Sequence, residues 1–398
     1  MSNLETIIPE IREAILESGG KEAYQCYECG MCVSLCPWFQ VGNVQFPCYR
    51  TPQNVRLGAV MASEEKKELA KEIEELFRCV ACDNCKAFCP RHVDMGDIMR
   101  AIRRILAESD SLPKELKDVA SKFYNVGNPH GEAPEKRNNW ATELNLPLFK
   151  PGMEFGYWAC CLPAYDNRLK NVAISTAKLL KTAGVSFGLV DTNVWCCSET
   201  IRNFGAEKVF QELAQRNVAA IKAAGINNLL VTSPHCFTTF KNEYPELGAE
   251  FKPTHTVQLF DRLIKEKRLV PKKPLEKTVF YHDPCTLGRQ NGIYDEPRAV
   301  LQSIPGIKLV ENPLFAREYS ICCGGGAGGI WQDWPKEERI ASVRIKQVVG
   351  TGAEILATAC PYCILMFDDS IKTMNLDIEV KDVSELLVES ITKETTEN

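Results

Sequence analysis

The sequence predicts an α+β multidomain chain: a mostly α-helical N-terminal domain built on cysteine motifs, then a duplicated α/β domain that is also rich in cysteine. Three observations carry this expectation. The run Cys26-x-x-Cys29-x-x-Cys32-x-x-x-Cys36-Pro37 returns as Cys79-x-x-Cys82-x-x-Cys85-x-x-x-Cys89-Pro90. Further on, the stretch from Gly225 to Cys236 aligns without gaps on that from Gly352 to Cys363. Within each of these copies strand-like and helix-like stretches alternate, and cysteines fall where strands should end, the place where α/β folds put ligand sites.

Composition narrows the class. A chain of 398 residues with 45% apolar content has room for two or three domains with real cores. A net charge of −5 argues against a nucleic-acid binder held by phosphate contacts. No apolar run approaches the roughly 18–20 residues of a membrane span, and residues 1–10 lack the basic-then-apolar layout of an export signal. The expectation is a cytoplasmic protein with no transmembrane segment of its own, free or held at the inner face of the membrane through a partner. Nineteen cysteines in a reducing compartment point to metal binding, not to a disulfide framework.

Residues 1–110 read as the first domain. Ile8, Ile11, Ile15 and Leu16 mark an amphipathic helix over Ile7 to Glu17. One Cys-x-x-Cys alone is compatible with zinc or with redox thiols. Two complete four-cysteine runs are the bacterial ferredoxin pattern for cubane [4Fe–4S] clusters, in which the fourth cysteine of each run ligates the other cluster. That assigns Cys26, Cys29, Cys32 and Cys89 to one cluster, and Cys79, Cys82, Cys85 and Cys36 to the second. Helical stretches at Glu64 to Phe77 and Asp97 to Glu108 make this a helical module, not the compact two-stranded type. Arg100, Arg103 and Arg104 are expected on a solvated or partner-facing side, His92 at the surface or beside the second motif, and Cys48 as a small buried hydrophobe.

Residues 111–155 read as a connector. Asn125 to Pro151 is rich in Asn, Pro, Gly and charge, and is expected to run extended over the surface, pinned by Trp140 and Phe149, with His130 structural.

Residues 156–270 and 271–398 read as the two copies. Ala173, Ala177 and Leu180 mark a helix face that stops at Gly184, and Val185, Phe187 and Leu189 then read as a strand. The second copy presents Cys285, then Cys322-Cys323-Gly324, then Cys360-Pro-Tyr-Cys363. The first presents Cys160-Cys161, then Cys196-Cys197-Ser198, then Ser233-Pro-His-Cys236. Gly324 to Gly329 contains G-x-G-x-x-G, but it follows two cysteines, not a strand, so it is read as a loop whose backbone must approach a cluster closely and donate N–H groups to its sulfurs. Tyr362 reads as packing, and His235 as a residue behind the ligands.

These motifs resemble the CCG cysteine-rich domain of heterodisulfide reductase subunits and their relatives, among them the glycolate oxidase iron–sulfur subunit and the third subunit of anaerobic glycerol-3-phosphate dehydrogenase. The resemblance covers almost the whole chain, from the two-cluster helical ferredoxin domain onward. It implies a non-cubane [4Fe–4S] cluster held by Cys285, Cys322, Cys323, Cys360 and Cys363, which would take the sulfurs of a disulfide onto iron, with His282 placed to give a proton to a departing thiolate. In the first copy it implies Cys161, Cys196, Cys197 and Cys236, with Ser233 where a thiol belongs and Cys160 where the family carries glycine. Three outcomes stay open there: Cys160 substitutes, the site holds an ordinary cubane, or it holds nothing.

The expected function is that of an iron–sulfur oxidoreductase subunit. Electrons would pass singly through two cubane clusters to the second copy, which would perform disulfide or thiol chemistry on a small substrate. The alternative is a relay subunit linking a flavoprotein to a quinone-reactive, hydrogenase-like or other reductase partner. No flavin or nucleotide motif is seen in the sequence, so either reading implies other redox subunits.

Overall fold

The computed structural model describes residues 5–7, 9–42, 59–61 and 73–391. Cys48 and most of the helical stretch expected over Glu64 to Phe77 lie outside the described residues; residues 73–76 are helical.

The N-terminal domain is helical apart from one short antiparallel pair, β1 (Glu5–Ile7) with β2 (Ala59–Met61). Helices run over Pro9–Glu17, Met31–Leu35, Pro37–Val41, Asn84–Ala87 and Met95–Glu108. The last begins at Asp94, whose carboxylate accepts from the Asp97 N–H at 3.0 Å and so satisfies one of the free donors of the first turn. Its apolar side buries Ile98, Met99 and Ala101.

The same helix corrects one expectation. Arg103 does not face solvent or a partner: it is 1% exposed. Its guanidinium donates to the carbonyls of Leu76 at 2.7 Å, Cys79 at 2.7 Å and Asn203 at 3.1 Å. Arg104 pairs with Glu207 at 2.7 Å, and Arg100 pairs with Asp97 and, at 3.5 Å, with Glu243. The three arginines bind the domain to the first copy. Periodicity alone marks them as the polar side of a helix and cannot show that carbonyls of distant segments meet that side.

The connector is also more ordered than expected. Leu116, Val119 and Phe123 supply a buried stripe for a helix over Lys114–Val126. It ends at Gly127, whose φ of 69° is the left-handed conformation glycine adopts without cost, and the Trp195 indole lies where a side chain there would project. A 3₁₀ helix follows over Pro134–Leu144 and buries Arg137, Trp140 and Ala141. Its threefold turn leaves no 3.6-residue signature in the sequence.

The C-terminal half contains two parallel four-stranded sheets. The first holds β3 (Phe155–Trp158), β4 (Phe187–Leu189), β5 (Asn228–Val231) and β6 (Lys252–His255), in the order β4-β3-β5-β6. The second holds β7 (Lys277–Tyr281), β8 (Ile307–Val310), β9 (Ile355–Thr358) and β10 (Glu379–Asp382), in the order β8-β7-β9-β10. The two orders are the same topology used twice. Tyr157 lies opposite Leu230 in one sheet as Phe280 lies opposite Leu356 in the other. The central strands are runs of apolar residues because helices cover both faces.

The copies pack on each other through exchanged equivalents. Helix Lys170–Thr182 of the first meets Val383–Ser390 of the second, and Thr256–Lys265 of the first meets Asp295–Gln302 of the second. Each pair joins the helix after a copy's first strand to the helix after the other copy's last strand. The halves are therefore related by an approximate twofold axis, the arrangement of an isologous dimer within one chain. Arg168 reinforces it by donating to Glu385 at 2.8 Å and to the Val380 carbonyl at 2.7 Å.

Candidate metal centres

The two N-terminal motifs fold into matching loops. Glu28 and Gly30 in the first, and Ala81 and Asp83 in the second, all have φ between 47° and 74°. Left-handed residues at these equivalent positions curl a short loop so that successive N–H groups face one concavity, which suits a negatively charged sulfur cluster. Cys26, Cys29, Cys32 and Cys89 line one small cavity, and Cys85, assigned by spacing to the other cluster, lines it too. Cys36 lies with the other set: its thiol is pushed up to about 12 by burial, then by Cys82 and Cys79. Asn84 fixes the two loops together, donating to the Leu35 carbonyl at 2.6 Å. None of the described cysteines is in a disulfide. A donor set of soft sulfurs around an N–H-lined hollow fits iron–sulfur clusters.

In the second copy all five sequence-assigned thiols come together and are buried. Cys285 follows β7, Cys322 and Cys323 follow β8, and Cys360 caps the helix Pro361–Met374 after β9, with Cys363 in its first turn. The Cys285 and Cys322 sulfurs are 3.7 Å apart, and those of Cys323 and Cys363 are 3.3 Å apart. The Gly324 N–H points at the Cys322 sulfur at 3.3 Å.

This site meets the second N-terminal motif directly. The Cys82 thiol lies beside Cys322, and that neighbour with the nearby Arg289 charge outweighs burial and pulls it down to about 6. Arg289 donates to the Cys82 carbonyl at 2.9 Å, and Gln290 to the Ala81 carbonyl at 3.1 Å. The glycine run completes the contact: a methyl group at Gly326 would collide with the Val80 carbonyl oxygen, and one at Gly329 with the Gly324 carbonyl. In this run, expected to approach a cluster, Gly324 does point its N–H at a cysteine sulfur, but the tightest approaches are to backbone carbonyls, that of Val80 from the other domain at Gly326 and that of Gly324 at Gly329. Arg289 and Gln290 carry no motif signal, and nothing in the sequence singles them out.

His282 does not suit the role of proton donor. It is wholly buried, and Arg344 Nε donates to its Nδ1 at 3.2 Å, which leaves the ring hydrogen on Nε2. Burial, then the charges of Arg344 and Arg289, hold it well below the usual histidine range. It is a neutral ring packed edge-on against Phe367 at 4.7 Å.

In the first copy Cys161 and Cys196 are 3.5 Å apart, matching Cys285 and Cys322. Cys197 contacts Cys236, matching Cys323 and Cys363. His235 reaches out of this copy: it hydrogen-bonds with Cys360 of the second and lies 3.1 Å from Glu199. Tyr362 reaches the opposite way, its hydroxyl 2.9 Å from Thr200.

The fold and these thiol sets define an iron–sulfur electron-transfer protein. Residues 155–241 and 279–368 match the cysteine-rich domain called CCG, and residues 22–93 match the 4Fe-4S dicluster domain. The chain thus joins a 4Fe-4S dicluster domain to two copies of the CCG cysteine-rich domain, and it carries [4Fe–4S] clusters. It is 31% identical to the probable iron-sulfur-binding oxidoreductase FadF of Bacillus subtilis over 93% of this chain and 60% of that protein. It is 30% identical to the EtfAB:quinone oxidoreductase of Syntrophomonas wolfei over 91% of this chain and 57% of that protein. A dihydromethanophenazine:CoB–CoM heterodisulfide reductase subunit from Methanosarcina mazei is 29% identical over 94% of this chain and 95% of that protein. The chain thus spans about three-fifths of the length of the first two relatives and nearly all of the third. A hypothetical protein from Helicobacter pylori shares the fold, with a TM-score of 0.55 at 11% identity, over 96% of this chain and 77% of that structure. Among the described residues no helix is long and apolar enough to cross a membrane.

Proposed function

We propose that this chain is the electron-relay subunit of a larger redox assembly, with Cys26, Cys29, Cys32 and Cys89 holding the outermost cluster, Cys79, Cys82, Cys85 and Cys36 the second, and the five thiols of the second copy the last. The observation that supports it most is the contact between Cys82 and Cys322. When bound, clusters of this kind take up and release one electron at a time with little movement of their ligands. The chain's own residues set the spacing. Arg289 and Gln290 hold the 79–85 loop against the second copy, and Gly326 admits its backbone. Cys29 is exposed while the second-copy thiols are buried, which favours exchange of electrons with an outside partner at the first motif.

The likeness to an EtfAB:quinone oxidoreductase supports a flavoprotein donor on one side and a quinone-reactive partner on the other. A second reading gives the second copy thiol–disulfide chemistry of its own. It is favoured by the complete five-thiol set and by the near full-length match to a heterodisulfide reductase subunit. One experiment separates them: the anaerobically purified, dithionite-reduced chain is mixed with cystine, glutathione disulfide and larger thiol-coenzyme disulfides. The relay reading expects no thiol release and unchanged EPR spectra. Catalytic thiol release without a partner would replace it with the second reading.

A further inference from the structure

We propose that Cys160 is the fifth sulfur ligand of a cluster in the first copy, standing in for the thiol that Ser233 lacks. This rests on the reading that the CCG copies hold iron–sulfur clusters.

Four links of the two thiol networks correspond, and the first copy adds a fifth, between Cys160 and Cys161. In the second copy the contacts run Cys285 to Cys322, Cys322 to Cys323, Cys323 to Cys363, and Cys363 to Cys360. In the first they run Cys161 to Cys196, Cys196 to Cys197, Cys197 to Cys236, and Cys236 to Cys160. The place of Cys360 is taken by Cys160. By sequence alignment that place belongs to Ser233, which is fully buried and whose hydroxyl has no hydrogen-bond partner among the described residues. The missing thiol is thus supplied from a different strand end: from β3, not β5.

A second observation is independent of these contacts. Cys160 has φ 73° and ψ 156°, a region occupied almost only by glycine. A cysteine held there is strained, and strain of this kind persists where the surrounding structure gains from the side chain. Glycine at 160 would satisfy the backbone; only a thiol would satisfy the network. The site then offers five thiols, all 5% exposed or less.

The test moves the thiol. The full-length chain is purified anaerobically, iron and sulfide are quantified, and EPR spectra are recorded for wild type, Cys160→Gly, Cys160→Gly/Ser233→Cys, Cys196→Ser and Cys323→Ser. Glycine relieves the backbone, so Cys160→Gly is expected to fold and to lose between about one and about four irons, at about four per cluster. The double variant is expected to recover them, together with the EPR signal that Cys196→Ser lacks. Failure of the double variant to recover iron overturns the proposal, as does wild-type iron in Cys160→Gly. Wild-type iron in Cys196→Ser also overturns it, because the first copy then holds no cluster. Wild-type iron in Cys323→Ser as well would defeat the underlying reading instead.

Discussion

His235 and Tyr362 occupy equivalent positions in the two copies, and their rings stack across the approximate twofold axis with centroids 4.2 Å apart. Each faces the other copy's thiols. His235 meets Cys360, and Tyr362 lies in the field of Cys161, Cys196 and Cys160. The two sites therefore share a wall. Tyr362→Leu removes the ring and its 2.9 Å bond to Thr200, and is expected to alter the EPR line shapes of both copies. A change confined to the second copy would show that the wall does not couple them.

The His235–Glu199 pair is buried. Against the cost of burial, Glu199 lifts the His235 ring well above its ordinary value. Removing one member leaves an uncompensated charge, which costs about 3–5 kcal/mol, whereas apolar replacement of both costs less. Glu199→Leu should thus be less stable than Glu199→Leu/His235→Phe, as read from anaerobic urea unfolding followed by circular dichroism.

The buried Arg103 guanidinium satisfies three carbonyls from segments far apart in the chain. Arg103→Met leaves them unpaired, at about 1–3 kcal/mol each, so a loss of roughly 3 kcal/mol or more in unfolding free energy is expected. Arg100→Ala, at a half-buried ion pair, should cost about 1 kcal/mol or less.

Gly326→Ala drives a methyl group into the Val80 carbonyl and pushes the dicluster domain off the second copy. The expected result is weaker magnetic coupling between neighbouring clusters in power-saturation EPR, at unchanged iron content. Thr200, at the equivalent place in the first copy, bears a side chain already, so Thr200→Ser should leave that coupling intact.

His255 caps the helix Thr256–Lys265 by accepting the Val257 N–H on Nδ1 at 3.3 Å. Burial lowers the ring to about 3. Protonation would place a hydrogen where the cap must accept one. The folded value lies below the unfolded value of about 6.5, so the unfolded chain binds the proton more readily. The resulting stability is complete above pH 6.5 and is lost as pH falls toward 3. Wild type should lose about 1.4 kcal/mol for each pH unit in that window. His255→Asn keeps a capping oxygen and should remove this slope, as measured by urea midpoints at pH 7.5 and 5.5.

The sequence showed most clearly what is local. The two cysteine runs, the strand–helix alternation and the ungapped repeat each concern residues near one another in the chain, and each left a spacing that can be read. Arg289, Gln290 and the burial of Arg103 did not, because their partners are carbonyls far away, and a carbonyl is the same in every residue. The Gly324–Gly329 run announced a close approach, but it pointed to a cluster, whereas Gly326 meets the Val80 carbonyl, which no local spacing reveals. The alignment placed Ser233 in the gap left by a cysteine, but the positive φ that turns Cys160 toward that gap has no sequence counterpart in a non-glycine residue.

Ser198 and Gly324 share a left-handed backbone at matching positions, with φ 67° and 92°. Beyond them the copies part: Glu199–Asn203 forms a helical turn, while Gly325 and Gly326 remain bare. The dicluster domain rests on both repeats with different segments: residue Val80 lies against Gly326 of the second, and Arg103 against Gly205 of the first. Each repeat must therefore stay bare at a different position, and two halves of one fold answer to one shared neighbour with unlike constraints.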